Sequence, residues 1–418
     1  MNYKAQIFDR LQYLFDTTGY NDHQVHCVIS FENKIDAVMM EKAVQLLVEA
    51  IPMLSRVYRN AGGRSYWEDA GRINRGELFT IVTRKEDFDR FTSSKTNEAS
   101  GPQIRVCLLQ SDEDALSVII NHMVSDAAGF KQCIYLLADI YSNLVKNPEY
   151  RPEYIIDGDR GFKSIVDKIS LPAKMKLLFF GSKDNNQKTG CQFPFSSDSE
   201  SVPAIIVHEL PQERYYEIRD FCRKNCVTVN DVLLAAYFRA VSGMLGMNGK
   251  KLDISFMIDM RRYLEDKSFH SLTNLSSTST VGIAVFPHEN FNQTLFRVGS
   301  EMNRKKSNDL GMNTFLKLDT LFKLTHAFGY RILERSLNNP KIGMTNIGVL
   351  DSSRLAFGNS TVSNAFMCGS IKYRPHFQMS VSSFNDKMTF CVNLYGSRED
   401  REAIDKFFGL MDRELESL

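Results

Sequence analysis

A chain of 418 residues exceeds what one hydrophobic core usually serves, so two domains or subdomains are expected; 43% apolar and 24% charged residues describe an ordinary soluble globular protein. Fifty-one basic residues against fifty acidic leave a formal charge of +1, which offers no field for an anionic membrane surface or a nucleic acid, and no nucleic-acid partner is expected. The first ten residues hold no apolar signal-type core, and no uncharged apolar stretch approaches the roughly 20 residues of a spanning helix, so the expectation is no membrane span and a cytoplasmic location.

In chain order, residues 25–31 predict a strand and 36–49 a helix, whose inward face carries Met40, Ala43, Val44 and Leu47, with Ala50 just beyond. Pro52 stops that helix; 52–58 read as a turn leading into a strand, with Tyr66 and Trp67 on its hairpin partner. His23 and His26 are three apart, which on a strand places them on opposite faces and argues against a metal pair unless the chain turns there. The apolar, β-branched runs 104–109 and 115–120 flank the turn signal Ser111-Asp112-Glu113-Asp114 and predict a hairpin. Beyond it Phe130, Cys133, Ile134, Leu137, Ala138, Tyr141 and Leu144 recur at helical spacing to about residue 145. His122 therefore falls at a strand-to-helix junction, a position from which a fold presents a base to a cleft. With eight histidines in the chain the spacing His122-x-x-x-Asp126 carries little alone, and Asp126 or Ser125 has a second reading as the helix N-cap.

Residues 181–203 are rich in turn formers and nearly free of aliphatics, which divides the chain into an expected N-terminal subdomain 1–185, a linker 186–203 and a C-terminal subdomain 204–418. The second half predicts a strand at 204–209, helices at 211–224 and from Thr228 or Asn230 to 245, and a strand at 252–258 that ends in Asp259-Met260-Arg261-Arg262. An extended stretch at 279–287, a helix at 292–306 and a largely helical 311–335 follow. Strands at 342–349, 365–371, 376–382 and 388–394 and a closing helix at 399–415 complete the pattern, with His376 at the start of a strand. The eight cysteines are scattered singly without Cys-x-x-Cys pairs, so they read as reduced structural thiols, and no metal is implied. The two halves share a similar mix of α and β elements.

Ile35-Asp36 before a helix that ends near Pro52-Met53-Leu54, then Asn121-His122-x-x-x-Asp126-Ala127-Ala128-Gly129, then Ile258-Asp259-Met260-Arg261, and a late Thr345-Asn346-Ile347-Gly348, taken in that order, resemble the chloramphenicol acetyltransferase-like superfamily. That superfamily includes nonribosomal peptide condensation domains, plant BAHD acyltransferases and bacterial alcohol acyltransferases. The resemblance implies an α/β (α+β) fold of two similar subdomains in a V-shaped pseudo-dimer, with the motif histidine in a tunnel between them. Asn121 stands where the condensation-domain pattern has its first histidine, and Ala127 where it has glycine. The BAHD motif Asp-Phe-Gly-Trp-Gly is missing, the nearest string being Ala356-Phe357-Gly358-Asn359, which disfavours a plant-type enzyme.

The activity so implied is acyl transfer from a thioester to an alcohol or amine, with His122 as general base and no covalent acyl-enzyme. Asp126 is expected to point away from the imidazole and pair with Arg261, or with Arg262, of the second subdomain. Asn346, Ser382 (or Ser380), Asn121 and Gly129 are candidate oxyanion or substrate contacts. Acyl-coenzyme A or a phosphopantetheine thioester is the expected co-substrate, with no tightly bound cofactor. Two further readings share the fold: a condensation-type enzyme whose donor rides on an acyl or peptidyl carrier protein, and a catalytically silent binding member.

Overall fold

The computed structural model describes residues 2–61, 64–71, 75–167, 169–170, 172, 174–175, 190–197, 200–306, 310–324 and 340–418. The strands Gln24–Phe31, Ala115–Asn121 and Ile104–Leu109 form the middle of a five-stranded sheet edged by Val362–Cys368 and Phe79–Val82. All seven residues of Ala115–Asn121 are buried. The alternation of a strand explains this: Leu116, Val118 and Ile120 enter the core beneath the helices Ala37–Ala50 and Ala127–Lys146, while Ala115 and Ile119 meet Phe88 and Phe91 of the helix Lys85–Thr92 on the other face. Asp36 starts the first of these helices, its carboxylate accepting the N–H groups of Val38 and Met39 at 2.9 and 3.0 Å. The hairpin Arg56–Ala61/Arg64–Asp69, joined by Tyr3–Lys4, makes a small separate sheet around the buried Trp67.

The second large sheet runs Ser276–Ala284, Lys251–Asp259, Ile342–Val349, Phe377–Phe384 and Lys387–Gly396, and the last of these also pairs with Val202–Leu210 and Lys372–Tyr373. Ile342–Val349 lies parallel to both of its neighbours, so the sheet is mixed. Across it packs the helix Val229–Leu245, started by a reciprocal Thr228/Asp231 capping box and ended by Gly246 at φ +58°. That helix is apolar almost all round because Phe291–Lys306 and Arg398–Glu416 cover what the sheet does not.

Two elements cross between the linear halves. Val362–Cys368 leaves the second half to pair antiparallel with Gln24–Phe31. In the opposite direction the helix Ile7–Thr17, which the sequence reading did not anticipate, inserts Phe8, Leu11 and Leu14 into the core of the second sheet. Of the expected linker, 190–197 and 200–203 are described, and regular structure begins at Val202. The helix expected at 311–335 is seen as Met312–Leu324, and its remainder lies outside the described residues. No helix among the described residues is long and apolar enough to cross a membrane.

Candidate active site

The strand Ala115–Asn121 ends in a tight turn, in which the Asn121 side-chain oxygen accepts the Met123 N–H at 2.9 Å and the Asn121 carbonyl accepts the Val124 N–H at 3.1 Å. The turn projects His122 sideways from the sheet. Its backbone N–H donates to the carbonyl of His23 at 2.7 Å, and its Nδ1 lies 2.9 Å from the carbonyl oxygen of Ser125. A carbonyl can only accept, so Nδ1 carries the proton and Nε2 keeps its lone pair. The side-chain amide of Asn274 donates to the His122 carbonyl at 2.9 Å; its 3.3 Å approach to Nδ1 brings two donors together and is not a second hydrogen bond. Burial lowers the pKa of His122 below the ordinary histidine value; the charge of Asp126 opposes the shift and that of Lys372 reinforces it.

Asp126 caps the helix Ala127–Lys146, with Oδ1 accepting the Gly129 N–H at 2.9 Å. Its Oδ2 accepts from Arg261 Nη1 and from the Leu275 N–H, each at 2.7 Å. Both readings of Asp126, cap and ion-pair partner, are therefore realised in one side chain. Burial pushes its pKa up, but Arg261 and the two backbone donors outweigh burial and hold the carboxylate below its usual range. Among the described residues no hydrogen bond joins Asp126 to His122. Arg261 also donates to the Thr273 carbonyl at 3.1 Å, whereas the guanidinium of Arg262 lies over the ring of Tyr263. Gly129 is where the helix meets this pair: a Cβ there would fall 2.5 Å from Ser125 Oγ, 3.4 Å from the Thr273 carbonyl and 3.5 Å from Arg261 Nη2.

A second buried ion pair braces the turn from behind. Arg160 bonds both carboxylate oxygens of Asp9 at 2.9 and 3.0 Å, reaches the carbonyls of Met123 and Val124 at 3.4 Å, and donates to the Leu272 carbonyl at 2.7 Å. Asp9 in turn accepts from Trp67 Nε1 at 2.7 Å. The sequence reading missed Asp9, Arg160 and Asn274, whose partners lie too far along the chain for any local spacing to expose them.

His122 and Asp126 face a cavity of about 470 Å³ between the two subdomains. Phe8, Leu11 and Phe15 of the N-terminal helix line one side, with Met257, Ile347 and Leu318 contributed by the second half. Polar side chains are present among the apolar ones: Ser276, Ser277, Ser370 and Lys317 line it, Thr278, Thr345 and Gln378 do so with no side-chain hydrogen bond among the described residues, and Lys372 lines it as well. Such a mixed lining suits a substrate with both apolar and hydrogen-bonding parts.

Three of the expected contacts lie elsewhere. Asn346 is exposed, because alternation along Ile342–Val349 turns Thr345 and Ile347 inward, and its side-chain oxygen accepts the N–H of Gly348 across a bulge at which Gly348 takes φ +81°. Ser382 is buried where the two large sheets adjoin, accepting the Met367 N–H at 3.1 Å, and Ser380 bonds the Cys391 carbonyl. Asn121 is fully buried and shapes the turn behind His122. Among the described residues no cluster of three or more His, Cys, Asp or Glu is placed to hold a metal ion.

No family model and no curated protein matches the chain. Solved structures do. The epimerization domain from the third module of tyrocidine synthetase B superposes with a TM-score of 0.70 at 16% identity, covering 100% of this chain and 98% of that one. The first condensation domain of the calcium-dependent antibiotic synthetase gives 0.73 at 12% identity, covering 99% and 96%. The trichothecene 15-O-acetyltransferase from Fusarium sporotrichioides gives 0.69 at 12% identity, covering 98% and 95%. Over nearly its full length the chain has the same fold as these three structures.

Proposed function

We propose that this chain is an acyltransferase that moves an acyl group from acyl-coenzyme A to an alcohol or amine, with His122 as general base. The observation that carries the reading is the 2.9 Å contact between Nδ1 and the Ser125 carbonyl in a ring that lines the cavity, because it leaves Nε2 as a proton acceptor where two substrates can meet. Nε2 takes the proton of the acceptor hydroxyl or amine as that oxygen or nitrogen attacks the thioester carbonyl. The tetrahedral intermediate collapses, the C–S bond breaks, and the imidazolium returns the proton to the leaving thiolate. A lowered pKa suits this role, since the base must be neutral before the reaction. Thr278, Thr345 and Gln378, whose side chains make no hydrogen bond among the described residues, are the candidate donors to the oxyanion.

A second reading keeps the chemistry and places the donor on a carrier protein, and the likeness to two synthetase domains supports it. Both readings are tested by following free-thiol release from acyl-coenzyme A and from acyl-phosphopantetheinyl carrier protein with a panel of alcohols and amines. Release from coenzyme A that disappears in His122→Ala is the expected result. Release only from the carrier protein selects the second reading. No release from either donor leaves a catalytically silent member of the fold and sinks both.

A further inference from the structure

The mechanism above does not use Lys372. This residue is 5% exposed, yet it lines the cavity that holds His122. Its backbone is held on both sides, by pairing of Lys372–Tyr373 with Lys387–Gly396 and by a bridge to Asn21. The ammonium lies 4.8 Å from the centroid of the Tyr20 ring, and among the described residues it makes no hydrogen bond and no ion pair. The nearby acid, Asp22, accepts from the Ile371 and Gln24 N–H groups through Oδ1, while its buried Oδ2 has no hydrogen bond and no ion pair to Lys372 among the described residues. Asp126, the acid that lines the cavity, is taken by Arg261. His122 and His376, the other titratable groups that feel the Lys372 charge, supply no negative partner. Burial lowers the pKa of Lys372 to about 7, with Asp22 opposing the shift. Asp22 offsets only part of this burial and makes no direct contact, so an anion entering the cavity and meeting the ammonium lowers the remaining penalty.

We propose that Lys372 receives a free carboxylate of the acceptor, so that the acceptor is a hydroxy acid or amino acid rather than a simple alcohol or amine. The word acceptor rests on the acyl-transfer reading; the carboxylate site itself does not. Lys317, the other lysine of the lining, is exposed, so the buried part of the cavity offers one flexible ammonium beside an aromatic face, which matches a monoanion better than a phosphate with its need for clustered donors. The acceptor is the substrate that needs the anchor. A thioester donor brings its own long arm, whereas a small acceptor depends on groups of the cavity itself to set the approach of its hydroxyl or amine to His122, and Lys372 is the buried cation among them.

Calorimetric titration of a series of aliphatic and aromatic hydroxy and amino acids, each beside its carboxamide, into wild type, Lys372→Met and Lys372→Gln tests this without requiring turnover. At least one acid should bind wild type about tenfold more tightly than its carboxamide; both variants should abolish that preference while carboxamide affinity changes by less than about threefold, which shows an intact cavity. Wild type that prefers no acid over its carboxamide, or a preference that survives in both variants, overturns the proposal. So does a dependence on Lys372 seen only with a donor that carries its own carboxylate, such as succinyl-coenzyme A. Acids that bind through Lys372 but never consume a thioester uphold the carboxylate site and sink the acyl-transfer reading, so the two failures are distinct.

Discussion

The carboxylate of Asp126 lies 2.7 Å from Nη1 of Arg261, so the cap of one subdomain's helix is tied to the 3-10 turn Met260–Tyr263 that follows the strand Lys251–Asp259 in the other. The pair is buried on the Asp126 side and mostly buried on the Arg261 side, at 6% and 18% side-chain exposure. Removing one partner of such a pair costs about 3–5 kcal/mol, because the other charge is left desolvated. Asp126→Ala and Arg261→Met should each lower the unfolding free energy by about that amount in urea titrations. A loss below about 1 kcal/mol would mean that the pair is screened like a surface contact.

His122→Ala should leave the unfolding midpoint close to wild type and lower turnover by a factor of about 10² to 10⁴. The pH profile carries the sign. The base works when neutral, and its pKa lies below the ordinary 6.5, so the acid limb of kcat/KM should be centred below pH 6.5. An acid limb centred above pH 6.5 would contradict the assignment of His122.

Gly129→Ala sets two effects against each other. Alanine is the better helix former by about 1 kcal/mol, but its methyl group would press on Ser125 Oγ at 2.5 Å, with the Thr273 carbonyl and Arg261 close behind. Ser125 is itself buried and its hydroxyl is bonded to the Asp126 carbonyl, so it has little room to yield. A net destabilisation of about 1–3 kcal/mol by denaturation is expected, and a stabilised variant would show that the turn relaxes freely.

Asn346→Ala should alter turnover by less than about threefold and stability by under about 1 kcal/mol, since an exposed side chain that spans a bulge touches neither cavity nor core. A large loss of rate with folding intact would restore Asn346 to the site. Thr345→Val, one residue earlier and facing the cavity, is the informative partner; it should raise the barrier if its hydroxyl meets the oxyanion.

Local pattern made much of this chain legible. The hairpin around residues 111–114, the amphipathic helix after Asp126 and the Asp36 cap all follow from side-chain period and from the small set of residues that start helices, and these are properties of contiguous residues. The same local logic placed His122 at a strand-to-helix junction, whereas Arg261, expected at a strand end, lies in the 3-10 turn Met260–Tyr263 just beyond it. It failed at Asn346 because a bulge and a one-residue change of facing reverse which side chain looks inward, and the resemblance that singled out the segment did not specify that facing.

What only the tertiary structure decided is what lies across from what. The Asp9–Arg160 brace spans about 150 positions of chain, Asn274 meets the His122 backbone from the other subdomain, and Val362–Cys368 returns to the first sheet. Nothing in the sequence singles out Lys372, and its burial against Tyr20 exists only in the folded chain. Helix and strand preferences are read over a few neighbouring residues, whereas ion pairs, cavities and lowered pKa values depend on distance and desolvation in three dimensions, which residue order along a single chain does not encode in any local signal.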